Sequence, residues 1–318
     1  IKPWLGMSIV EFSQLNRVFV IGSFLRKDHP LLSARLRQSA KSGAKVSVLH
    51  ATDDDLLMPI ANKIIAAPSA WLSALAEVAV AVAEAKGVAA PAAYAGVVAS
   101  DAAKATAASL LSGEGRGVFL GNAAVQHPQA AQLHAAAQWI AEQTGAKLGV
   151  LTDGGNAVGG YLANAVPTPG KGANAAAVFA QPRKAYLLLN AEPELDSYDP
   201  QAARAALGQA EMVVVMSAYQ HGADYADVLL PIAPFTETAG TFVNAEGRAQ
   251  SFNGTVKPAG DARPGWKVLR VLGNLLELEN FDYETAESIR DELLGKETDL
   301  SARLNNIASV QAQAVQAA

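Results

Sequence analysis

Cysteine is absent from all 318 residues. This excludes a disulfide, a thiolate zinc site, a cysteine-ligated iron–sulfur cluster and a thiol nucleophile from the chain. Positive charge is in deficit, with 25 Lys and Arg against 30 Asp and Glu and a net charge of -5, so nothing attracts the chain to nucleic acid or anionic lipid. No uninterrupted apolar run is long enough to span a bilayer. The richest region, residues 72–98, is broken by Glu77, Glu84, Lys86 and Pro91, so no membrane span is expected. The chain starts Ile1-Lys2-Pro3 without an initiator Met and without a cationic segment leading into an apolar core, and reads as a piece of a longer protein.

Catalytic signatures are missing as well. The five histidines form no H-E-x-x-H pair, and His127, which precedes Pro128, sits outside the helix that carries His134, which argues against a shared metal. No serine occupies a G-x-S-x-G elbow, and no G-x-G-x-x-G or Walker loop occurs.

What is present is globular. Hydrophobic residues make up 50% and charged residues 17% of the chain, and the length suits about two domains, drawn here as 1–183 and 184–318. Arg17 to Ile21 is an apolar run of strand length ending at Gly22. Pro30 opens a segment with Leu31, Leu32, Leu36 and Ala40 at helical spacing, Gly43 ends it, and Lys45 to Leu49 is a second strand. This is a βαβ unit and hence the start of a parallel sheet. Asp53-Asp54-Asp55 is read as the solvated cap of a helical segment over 56–63, the alternative being hard oxygen ligands for Mg²⁺ or Ca²⁺.

The pattern then repeats. Helices are expected over 70–85, 99–111 and 128–143, with strands at 116–120 and 147–151. Residues 152–182, rich in Gly and Pro, read as a long loop with one short helix. A third strand–helix–strand unit covers 184–189, 200–207 and 212–216, helices are expected over 264–276 and 284–294, and the Ala- and Gln-rich tail from Ser301 reads as helical or frayed. The fold class is therefore α/β: doubly wound, mostly parallel sheets with repeated βαβ units and a small β-hairpin insertion.

That insertion lies in the most heavily punctuated stretch, Ala226 to Arg248. The apolar run Val228 to Leu230 is stopped by Pro231, which has no N–H for a ladder. Farther on, Asn244-Ala245-Glu246-Gly247 is turn chemistry that should join Thr241–Val243 to Arg248–Phe252. Glu237, Glu246 and Arg248 either form a structural ion pair with backbone bonds or face a ligand. Gly22-Ser23, Gly121-Asn122 and Asn190-Ala191 fall at the C-terminal ends of parallel strands, where open sheets bind ligands. They are either small-residue turns or nucleotide cradles.

Three motifs carry a resemblance. Ala226-Asp227-Val228-x-Leu230-Pro231, then Glu237-x-x-Gly240-Thr241-x-x-Asn244-x-Glu246-Gly247-Arg248, then Pro264-x-Trp266 resemble the signature of the molybdopterin oxidoreductase superfamily. Val20-Ile21-Gly22-Ser23-x-Leu25-Arg26-x-x-His29-Pro30-Leu31-Leu32, Arg35-Leu36-Arg37 and Asp153-Gly154-Gly155-Asn156-Ala157-Val158-Gly159 are similar to its respiratory complex I branch. There the likeness is to the C-terminal region of the peripheral-arm, iron–sulfur-bearing subunit of NADH:quinone oxidoreductase.

The resemblance implies a non-catalytic domain at the cytoplasmic face of the bacterial inner membrane. Its partners would be other peripheral-arm subunits of complex I and the N-terminal domains of its own subunit, where iron–sulfur clusters carry electrons from NADH toward quinone. No catalytic, cofactor or metal residue is assigned to this chain, because Phe24 and Leu25 follow Gly22-Ser23 where a pterin or nucleotide would need donors. Two alternatives stay open. One is a piece of a working enzyme holding a bis-pterin guanine dinucleotide cofactor near Gly22 and Gly121, with Glu237 or Arg248 facing the pterin. The other is a free-standing nucleotide-binding domain.

Overall fold

A computed structural model of the chain describes residues 2–168 and 170–313. The fold is α/β with parallel sheets. Five strands, β1 (Arg17–Ile21), β2 (Lys45–His50), β3 (Asn62–Ile65), β4 (Arg116–Leu120) and β5 (Lys147–Val150), form one sheet in the order β3-β2-β1-β4-β5. Every pairing in it is parallel. A second parallel sheet, β6 (Ala185–Leu189), β7 (Met212–Ser217) and β8 (Val228–Pro231), runs in the order β6-β7-β8. The predicted hairpin is β9 (Gly240–Val243) with β10 (Ala249–Phe252).

Strand alternation explains why the first sheet is covered on both faces. Phe19, Ile21, Leu49, Val118 and Leu120 point into a core with helices Trp71–Lys86, Asp101–Leu111 and Ala130–Thr144. Val18, Val20, Val46, Val48 and Phe119 point into the opposite core with Phe12, Leu36 and Ala40 from helices Ile9–Ser13 and Pro30–Lys41.

Helix Trp71–Lys86 accounts for the apolar region in the sequence. Residues Pro68–Lys86 satisfy the length and composition of a bilayer-crossing segment, yet 61% of that window is buried within the protein. A helix apolar on nearly every side is what a central core position requires. Gly87, at φ +66, ends the helix with a left-handed cap.

Contacts divide the chain into two compact units: Ile1–Leu162 with Val243–Arg248 and Asp299–Ala318, and Ala163–Phe242 with Ala249–Thr298. The units are interleaved along the chain, whereas the sequence reading placed one division between 183 and 184. In the first unit, the turn between β9 and β10 is held by the N-terminal segment. Leu5 N–H donates to Ala245 O at 2.8 Å and Ile9 N–H donates to Glu246 Oε2 at 2.7 Å. Residues 305–313 return to the same unit, where Asn306 is bonded to Trp4 and Leu148.

Two local expectations are corrected. Residues 56–63 are not helical: Leu57 takes φ +55, Pro59 follows, and Asn62–Ile65 becomes β3, paired in parallel with β2. Proline at 59 removes a helical donor, and the β-branched pair Ile64-Ile65 suits the sheet edge. The loop over 152–182 holds two short helices among its described residues, Ala157–Leu162 and Ala175–Ala180, the second capped by Asn174. In the tail, Ser301–Arg303 forms one 3₁₀ turn, and residues 314–318 lie outside the described residues.

Candidate functional site

In an open parallel sheet the ligand crevice lies beyond the C-terminal strand ends, where strand order reverses. Here that point is between β1 and β4, so the loops in question are Gly22-Ser23 and Gly121-Asn122. Both glycines are explained by close approach. A Cβ on Gly121 would lie 2.3 Å from Ser23 Cβ and 2.7 Å from Gly22 O, and one on Gly22 would lie 2.7 Å from the Trp71 ring and 2.8 Å from Ala124 N. Gly22 also has φ +62, which favours glycine by itself.

Three of the backbone donors at this point are already used. Gly121 N–H donates to Ile21 O at 2.8 Å, and the N–H groups of Ala123 and Ala124 donate to Gly22 O at 3.0 and 3.3 Å. A phosphate cradle needs such N–H groups to be free. Those three N–H groups are therefore not open to the phosphates of the pterin dinucleotide that the resemblance implies for active members. The remaining wall is aromatic. The Phe24 ring meets His50 edge-on at 4.3 Å, His50 lies 6.2 Å from Trp71, and Trp71 stacks on His127 at 5.8 Å.

The histidines around this sheet are bonded or buried within the fold. Gln129 N–H donates to His127 Nδ1 at 2.9 Å, which leaves Nε2–H to donate to Pro68 O at 3.0 Å. His134 Nε2–H donates to Asn306 O at 2.7 Å, and burial pushes its pKa down. Burial also lowers the pKa of His29, against the opposing pull of the Asp28 and Asp153 carboxylates. Among the described residues no group of three or more His, Cys, Asp or Glu is placed to hold a metal ion.

The acidic triplet does not act as a helix cap. Asp53 pairs with Lys63 at 2.6 Å, Thr52 donates to Asp54 at 3.1 Å, and Asp55 accepts Leu57 N–H at 2.8 Å. These bonds build a turn that leads into β3.

The ion pair in the hairpin turn is present. Arg248 Nε lies 3.2 Å from Glu246 Oε1, while the other carboxylate oxygen of Glu246 accepts from Ile9. Arg248 N–H and Glu246 N–H both donate to Asn244 Oδ1. In the second unit Glu237 accepts Ala259 N–H at 3.0 Å. Also in that unit, Asn190 adopts φ +47 and donates to Met216 O, and His221 Nε2–H donates to Ala191 O at 3.0 Å.

A cavity of about 270 Å³ beside the ends of β4 and β5 is lined by His134, Asp153 and Tyr161 among apolar neighbours that include Leu120 and Val150. Neither this cavity nor the aromatic wall was legible in the sequence, since their residues come from separate segments with no shared spacing.

Comparison with known proteins agrees with the fold. The family model for molybdopterin oxidoreductase matches residues 2–275. A formate dehydrogenase-like protein of Staphylococcus aureus (strain MRSA252) is 41% identical over 71 residues, 22% of this chain and 7% of that protein. The mitochondrial NADH-ubiquinone oxidoreductase 78 kDa subunit of Candida albicans is 42% identical over 69 residues, 22% of this chain and 9% of that subunit. Acetylene hydratase from Pelobacter acetylenicus superposes with a TM-score of 0.59 at 14% identity, covering 90% of this chain and 52% of that one. The sequence matches thus span under a tenth of each relative, and the chain spans about half of the structural neighbour.

Proposed function

This chain belongs to the molybdopterin oxidoreductase family, and within it we propose a non-catalytic structural domain from the peripheral arm of NADH:quinone oxidoreductase, respiratory complex I. It supports the part of its subunit that carries electrons on iron–sulfur clusters, at the cytoplasmic face of the bacterial inner membrane, and offers surface to neighbouring subunits. The observation that carries this reading is the interlock at the switch point, where the Gly22-Ser23 and Gly121-Asn122 loops approach each other closely and the N–H groups of Gly121, Ala123 and Ala124 are bonded within the fold. The partial match to the 78 kDa complex I subunit supports the same branch. Glu246 and Arg248 fit it too, since their bonds go to the hairpin turn and to Ile9.

The formate dehydrogenase-like match favours the rival, a working molybdopterin enzyme. Metal and pterin analysis of the purified full-length protein separates the two. Iron without molybdenum, tungsten or extractable pterin is expected. Stoichiometric molybdenum or tungsten with pterin would sink the scaffold reading.

A further inference from the structure

Beneath the ends of β1 and β2, two buried polar atoms have no hydrogen-bond partner: Ser23 Oγ and His50 Nε2. Their residues are only 5% and 6% exposed. Both residues line one narrow pocket, together with Val20, Val48 and Thr52, that leaves about 10 Å³ for the centre of a water-sized sphere. A water-sized sphere therefore fits there, which is the room that one water needs. We infer that one water molecule is bound here, bridging His50 Nε2 and Ser23 Oγ.

The chemistry selects water over other occupants. Ala51 N–H donates to His50 Nδ1 at 2.8 Å, so the ring proton sits on Nε2 and requires an acceptor. A water oxygen accepts it, and a water hydrogen reaches the serine hydroxyl. The other polar groups on the wall are paired already, Lys63 with Asp53 and Thr52 with Asp54. An anion is disfavoured by size and by the Asp53 and Asp54 carboxylates that line the space. A protonated Nε2 cannot ligate a cation. The bridge ties the loop after β1 to the end of β2, and it is independent of which branch of the family the chain belongs to.

The test is a high-resolution crystal structure of the 318-residue chain, joined to an NMR experiment that detects transfer between the His50 Nε2–H and a long-lived water. Single-atom density within hydrogen-bond reach of both atoms is expected, with a water cross-peak that Ser23→Ala weakens severalfold. Absent density, a direct Ser23–His50 bond, or density larger than one atom would overturn the inference, as would a cross-peak unchanged in Ser23→Ala. If that variant does not fold, the wild-type density decides alone. Molybdenum or pterin in the same sample would count against the scaffold reading and leave the water site standing.

Discussion

Gly121 lies so close to Ser23 that a Cβ at Gly121 would fall 2.3 Å from the serine Cβ. Its φ of -97° is open to any residue, so the glycine is required by the neighbouring loop and not by its own backbone. Gly121→Ala is expected to destabilise the protein by about 1–3 kcal/mol through overpacking, read as a lower urea midpoint at unchanged slope. Gly160, inside helix Ala157–Leu162, is the control, because a Cβ there would have no neighbour within 4 Å. Gly160→Ala should leave stability equal or raise it by up to about 1 kcal/mol. Equal midpoints for Gly121→Ala and wild type would show that the two loops do not interlock.

Gly247 combines both constraints. Its φ is +87, and a Cβ would meet Leu304 Cδ1 at 2.9 Å and Ser301 N at 3.1 Å. Gly247→Val should cost about 2–4 kcal/mol from backbone strain and overpacking together. A melting temperature within error of wild type would refute this.

Acid should weaken the protein through two carboxylates. Glu11 accepts from Lys147 at 2.8 Å and from Ser8 N–H at 2.9 Å, which hold its pKa at about 2. For Glu246, burial alone would raise the pKa, but the bonds from Ile9 N–H, Asn244 and Arg248 outweigh it and the pKa is lowered. Both folded values lie below the unfolded one, so the stabilisation is complete above the ordinary value of 4.5 and is lost as pH falls through the folded value. Urea midpoints should therefore drop below pH 4.5, with Glu11 losing its share toward about pH 2. Glu246→Gln should flatten part of that slope and lower stability at neutral pH. Glu11→Gln should flatten the slope with a smaller neutral-pH effect, because its pair with Lys147 is half exposed. Identical pH profiles for wild type and both variants would contradict the assignment.

Asn306 joins three segments. Its Nδ2 donates to Trp4 O at 2.9 Å and Leu148 O at 2.8 Å, and its Oδ1 accepts Trp4 N–H at 3.0 Å. Asn306→Ala leaves Trp4 N–H without its acceptor and removes one of the two bonds to Trp4 O, which keeps Val150 N–H, and should cost about 1–3 kcal/mol. Faster amide hydrogen exchange at Trp4 should accompany the loss, and unchanged exchange there would mean that Asn306 does not hold the N-terminal segment.

Secondary structure was widely legible because its signals are local. The runs that became β1, β2, β4, β5, β6 and β7 are short and mostly apolar, and β1, β2 and β4 are buried along nearly their whole length, as strands covered on both faces must be. Gly87 and Gly145 mark left-handed helix caps, and Asn244 to Gly247 makes its turn. Residues 56–63 misled because a run of aspartates before apolar residues suits both a helix cap and an Asx-type turn. Only pairing with β2 chose between them.

Periodicity and turn chemistry act over a few residues, and they were enough to specify the α/β class, the parallel strands and the placement of Gly22 and Gly121 at strand ends. They could not specify that these two loops close on each other, that Trp71 and His50 wall the strand ends, or that Ile9 uses Glu246. Those contacts join positions far apart in the chain, and their geometry is set by sheet order and core packing, which leave no pattern in any local window.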